Sequence, residues 1–146
     1  MTTTVVPLGH SAAIDVVDAV LSRLPQVECP VTHCFTPGLY RRSVVIPEGV
    51  LATSKIHRTE HQWVLLRGSM SVWTEETGWT RVNAPYMGVT KPGARRVGFA
   101  HVESEWVTFH PTEATTPEEV EAEVIEPHDP AHPRLPEEVL ALLQES

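Results

Sequence analysis

Residues 48–68 read EGVLATSKIHRTEHQWVLLRG, and they set His57 at the end of one β-rich run and His61 at the start of the next. Two histidines at i and i+4 share one face of a helix. Here the composition is that of strands, so the two imidazoles are expected to face each other across a tight connection. Neutral imidazole is a common ligand for zinc, iron, copper and nickel. Two ligands do not make a site. Side chains i and i+2 share a face of a strand, so an inward His57 brings Lys55 with it, and an inward His61 brings Trp63 and Leu65. In the last expected strand His110 shares its face with Thr108 and Trp106, which makes His110 the candidate third ligand. His101, in the expected turn AHVESE, and His33, in an early strand, are the alternatives.

Outward from this stretch, short runs rich in Val, Thr, Trp and Tyr alternate with turn residues from Val31 to Pro111. Strands are predicted at 39–46, 50–56, 62–67, 69–75, 79–82, 86–90, 95–100 and 105–110, broken at Pro47-Glu48-Gly49, Arg67-Gly68, Thr77-Gly78, Ala84-Pro85 and Lys91-Pro92-Gly93. Many short strands with no helices between them predict a sandwich or barrel. Before them, residues 11–24 place Ile14, Val17, Val20, Leu21 and Leu24 on one helical face, with Ser11 as N-cap and Pro25 as the stop. After Pro111 a short helix is expected near Thr116. A second is expected in LPEEVLALLQES, with an extended Pro-rich stretch between the two.

The 146 residues carry a formal charge of −8, and 41% are apolar. That length suits one domain, and that composition is too apolar for a disordered chain. No apolar run approaches the ~20 residues of a membrane helix. MTTTVVPLGHSAA has neither the basic start nor the apolar core of a signal peptide. Two cysteines do not make a disulfide framework, so a cytoplasmic, reducing setting is expected, and Cys29 and Cys34 are read as thiols. From Glu113 to Ser146 there are ten acids and one base, whereas residues 1–112 hold nine acids and ten bases. The acidity therefore belongs to the tail, and no nucleic acid partner is expected.

The central stretch also resembles the first motif of the cupin superfamily: a glycine, His-x-His, a Glu, then a closing glycine. His57 falls on the second His, His61 on the Glu and Gly68 on the closing glycine, while Lys55 stands at the first His. Pro92-Gly93 resembles the start of the second motif, with Arg96 where its His belongs. The likeness spans roughly 35–112. With CPVTHCFTPGLYRR, KPGARRVGFAH and WVTFHPT, the chain is similar to small single-domain cupins of bacteria and tailed phages. The resemblance implies an all-β double-stranded β-helix, a jelly-roll barrel. It divides the chain into an N-terminal arm and helix (1–30), the barrel (31–112) and an acidic C-terminal extension (113–146).

Two cations at ligand positions exclude the ordinary three-His-plus-Glu site. In one reading a divalent transition metal, iron, zinc, manganese or nickel, is held by His57, His61 and His110, leaving open positions as catalytic sites require. A small anionic molecule would dock on Arg96 and Lys55, with Trp63 lining the pocket, while Arg95 faces outward. Any enzyme activity would then be metal-dependent oxygenase or isomerase chemistry. In the other reading the barrel is a non-enzymatic scaffold or a phage virion-associated protein that meets phage structural proteins. A homodimer that buries open strand edges is expected in either case.

Overall fold

In a computed structural model that describes residues 17–74 and 76–125, nine strands form two antiparallel sheets. The strands are β1 (Val31–Thr36), β2 (Leu39–Ile46), β3 (Leu51–Thr53), β4 (His61–Arg67), β5 (Ser69–Thr74), β6 (Gly78–Asn83), β7 (Tyr86–Thr90), β8 (Val97–Ala100) and β9 (Ser104–Pro111). One sheet runs β1-β2-β9-β4-β7, the other β3-β8-β5-β6. This is a double-stranded β-helix, as the motif resemblance implies and within the sandwich-or-barrel class that the turn spacing predicts. It has one strand more than the eight delimited from sequence. β1 pairs along its whole length with β2, from Val31 opposite Val44 to Thr36 opposite Leu39. No residue of β1 is fully buried, so it lacks the in–out alternation that marks a half-buried strand.

Two expected strands are shorter than predicted, and together they open the site. β3 ends at Thr53 and β8 begins only at Val97. Beyond the ladder the two chains stay tied by Ser54 N–H donating to the Arg96 carbonyl at 2.9 Å and Arg96 N–H donating to Ser54 Oγ at 2.8 Å. Residues 54–60 are thereby released from sheet geometry, and His57 comes to rest in a lone bridge with Ile125. At the other end of β4, Gly68 turns the chain at φ +98°. A Cβ there would stand 2.2 Å from Ser104 Oγ, so the closing glycine is required by space as well as by backbone.

Strand parity divides the interior into two halves. Ile46, Val50, Leu65, Met70, Val72, Val82 and Ala100 fill one end with an apolar core. Toward the other end the inward residues turn polar. Cross-strand register sets Tyr40 opposite His110, Arg42 opposite Thr108, Trp63 opposite Thr108 and His61 opposite Thr90.

Two helical segments pack on the barrel. The described part of α1, residues 17–21, covers the outside of the four-stranded sheet, where Leu21, with Val17 and Leu24, meets Leu51, Val97 and Phe99. Val20 stays 59% exposed and is not part of that stripe. Ile14 and the helix start lie outside the described residues, as does the second expected tail helix. α2 (Pro117–Val124) begins where the sequence predicts, with Thr116 as N-cap accepting from Glu119 N–H and Pro117 in the first turn. It turns back onto the barrel and buries Val120 and Val124 against Tyr40. Full burial of one such side chain is worth roughly 1.5–3 kcal/mol, so the first part of the acidic extension is a packed element. No helix among the described residues is long and apolar enough to cross a membrane.

Candidate functional site

The barrel mouth holds a cavity of about 130 Å³. His57 from the released loop, His61 from the start of β4 and His110 near the end of β9 converge there. One ring nitrogen from each lies within 4.8 Å of the others. Their ring centroids are 4.3 Å apart for His57–His61, 4.6 Å for His61–His110 and 5.2 Å for His57–His110. No carboxylate joins them among the described residues.

All three imidazoles are held uncharged. Burial above all, then the neighbouring His61, His110 and Arg42, pushes His57 down to about 3. Burial, then His61 and Arg42, pushes His110 down to about 3. Burial, with Arg96 adding to it, also lowers His61, against a weak opposing hydrogen bond at the Thr59 carbonyl. A neutral imidazole keeps a free lone pair, which is the ligand form. His110 Nε2 meets Thr108 Oγ at 2.9 Å, while its Nδ1 is buried with no hydrogen-bond partner among the described residues. A buried, unsatisfied ring nitrogen costs free energy unless something meets it. The donor set therefore fits a divalent transition metal, and the Thr108 hydroxyl orients the His110 ring as a supporting partner would.

Around the triad the other sequence-derived residues divide. Arg96 reaches in: its Nη1 donates to Thr90 Oγ at 2.5 Å, and its guanidinium lies 5.2 Å from the Trp63 ring and 5.9 Å from Trp106. Lys55 stands at the rim, where its Nζ donates to Glu121 of α2 at 2.6 Å. The expectation that Trp63 lines the pocket gives way to Trp106. Trp63 lies in the core stack behind Arg96, 4.1 Å from the Trp106 ring, and the Trp106 ring faces the cavity. Gly88 makes room for that stack, since a Cβ there would fall 2.5 Å from the Trp63 ring. His33 stays at the mouth, bonded to the Tyr40 hydroxyl at 2.5 Å. His101 meets Ser71 Oγ at 2.6 Å, away from the cavity. Cys29 and Cys34 are free thiols. His10, His128 and His132 lie outside the described residues.

Arg95 does point away from the barrel interior, but it is not an outward-facing surface residue. Its exposure is 0%, and it pairs at 2.5 Å with Asp18 of α1, which also accepts from Thr53 Oγ. The N-terminal helix covers that face, and its partner lies 77 residues away in sequence.

Arg42 was not among the sequence candidates. It lies on β2 between Tyr40 and Val44, both inward, and it lines the cavity. The signal was available in the alternation of LYRRSVVI, but both motifs begin after it.

No known family matches the chain by sequence profile, and no curated protein matches it. Solved structures do. An ectoine synthase from P. lautus aligns with a TM-score of 0.58 at 10% identity, over 80% of this chain and 88% of that one. A Klebsiella pneumoniae protein with a double-stranded β-helix domain aligns at 0.50 and 13% identity, over 65% and 88%. A protein from Neisseria meningitidis aligns at 0.51 and 9% identity, over 73% and 100%. The chain has the cupin fold. At such identities the likeness is one of architecture. Within that fold the three histidines come from the 54–60 loop, the start of β4 and the end of β9. Lys55 and Arg96 occupy two motif positions, and His110 comes from the last strand.

Proposed function

We propose that this cupin binds a divalent transition metal through His57, His61 and His110 and receives a small anionic molecule beside it. The observation that carries the reading is the convergence of three neutral imidazoles within 4.8 Å, one with a buried, unpartnered nitrogen. Three protein ligands leave coordination positions open, and a metal so held supplies Lewis-acid activation of water or substrate. The chain's own residues do the rest. Thr108 fixes the His110 ring. Trp106, Val44, Ile46 and Met70 give the cavity apolar walls. Arg96 presents a planar fork suited to carboxylate or phosphate.

Elemental analysis of the purified protein tests the proposal. Close to one equivalent of zinc, iron, manganese or nickel per chain is expected. His57→Ala should lower it at least tenfold with the circular dichroism spectrum unchanged. Metal absent from the wild-type protein after reconstitution, or metal content unchanged in His57→Ala, overturns the metal site and leaves a metal-free barrel, an anion-binding cup or a scaffold, in its place.

A further inference from the structure

We propose that the ligand of this cavity is a short dicarboxylate, held at its two ends by Arg42 and Arg96. The inference deepens the anion reading above. It depends on the cavity being a ligand site, not on the metal.

The charges come first. Among the described residues the cavity is lined by three cations, Arg42, Lys55 and Arg96, and one carboxylate, Glu121. Glu121 is engaged with Lys55 at 2.6 Å. The field of Glu121 reaches Arg42 as well, so one carboxylate stands against three cations and the lining keeps a net of two positive charges. Arg96 has a hydroxyl partner and two aromatic faces. The Arg42 guanidinium has neither an ion pair nor a hydrogen bond to any described residue. Two half-buried cations facing one small cavity repel each other and call for a matching anion.

Placement separates the two. Arg42 stands on β2, and Arg96 is anchored to Thr90 at the end of β7. In the order β2-β9-β4-β7 these strands are three spacings of about 4.8 Å apart. The strands between them carry His110 and His61. The guanidiniums therefore flank the triad from opposite sides, and one compact anion does not answer both. Between them the walls include Val44, Ile46, Met70 and Val72. Two charged ends joined by a short hydrocarbon match that pattern. Size agrees, because a cavity of roughly 150 Å³ takes up a benzene-sized guest, so about 130 Å³ suits a ligand of some six to eight heavy atoms.

Calorimetric titration of the full-length protein tests this, as purified and after metal removal. The probes are malonate and succinate, with propionate and butyrate as single-ended comparators and inorganic phosphate as a compact dianion. Malonate or succinate is expected to bind at least tenfold more tightly than its comparator and than phosphate, with or without metal. Arg42→Gln and Arg96→Gln should each cost at least tenfold in dicarboxylate affinity and far less for propionate, with Arg42→Lys intermediate. Arg67→Gln, on the outer surface, should change nothing. Equal binding of mono- and dicarboxylates, stronger binding of phosphate, no binding, or wild-type affinity in Arg42→Gln overturns the proposal. If Arg42→Gln does not fold, Arg42→Lys decides, and wild-type affinity there overturns the proposal equally. The two readings fail separately. Stoichiometric metal without dicarboxylate selectivity leaves the metal site and removes this ligand. Arginine-dependent dicarboxylate binding to a protein that takes no metal does the reverse.

Discussion

Arg95 and Arg96 are neighbours in the chain and point to opposite sides of the same sheet. On the outer side Arg95 is fully buried, paired to Asp18, with Thr53 donating to the same carboxylate. On the inner side Arg96 rests on Trp63 and Trp106 with a hydroxyl as its polar partner and cavity in front of it. The outer cation has a counter-ion within the protein and clamps α1 to the barrel. The inner one is left a polar surface to offer. Position in a motif does not separate structural from ligand-facing cations here. The presence of an internal carboxylate does.

The largest expected effect lies on the outer side. Asp18→Ala takes a carboxylate away from a fully buried guanidinium, and removing one partner of a buried pair costs about 3–5 kcal/mol. Thermal unfolding should fall by roughly 10–20 °C. Asp18→Ala combined with Arg95→Met should recover much of that loss, because the buried guanidinium is then removed along with its carboxylate. If Asp18→Ala melts within a few degrees of wild type, α1 is not clamped by this pair and the contrast between the two arginines fails.

How much of this was legible beforehand follows the same division. The strands of the barrel body were readable because alternation and turn residues are local properties, and β4, β5, β7 and β9 fall within a residue or so of their expected bounds. The three histidines were readable because strand parity carries His61 and His110 inward once one assumes a closed barrel. The Asp18–Arg95 pair was not, since it joins residues 77 apart in sequence and depends on which face a helix covers. Nor was the apolar seat of α2, whose Val120 and Val124 have nothing local to announce Tyr40 as their partner. Trp63 and Trp106 share inward parity on adjacent strands, and only packing decides that Trp106 meets the cavity and Trp63 the core.

A middle-sized effect is expected on the cavity side, and it depends on pH. His57 and His110 ordinarily titrate near 6.5 and are pushed to about 3 in the folded chain. Below 6.5 the unfolded chain takes up protons that the folded one refuses, so stability is complete above that value and declines as pH falls toward 3. Water reaches the half-buried His57, which holds the loss between pH 7 and pH 5 to about 2 kcal/mol. Urea midpoints of the metal-free protein at pH 7, 6 and 5 measure it, above the range where most carboxylates titrate. His57→Gln with His110→Gln should flatten the slope. A slope that persists unchanged in that double variant would show that the cavity histidines do not cause it.

The smallest effect is expected where the two sides are most alike to the eye. Lys55–Glu121 ties α2 to the rim just as Asp18–Arg95 ties α1 to the sheet, and its 2.6 Å contact is nearly as short. The difference is water: the Lys55 and Glu121 side chains are 22% and 55% exposed, against 0% for Arg95. Pairs of that kind contribute about 0–1 kcal/mol and weaken with salt. Lys55→Met should shift the melting temperature by no more than about 4 °C, and still less in 0.5 M salt, because Val120 and Val124 continue to hold α2 on Tyr40. A loss as large as that of Asp18→Ala would mean that the rim pair, not the apolar contact, seats α2 over the cavity. Burial would then no longer be what distinguishes the two helical contacts.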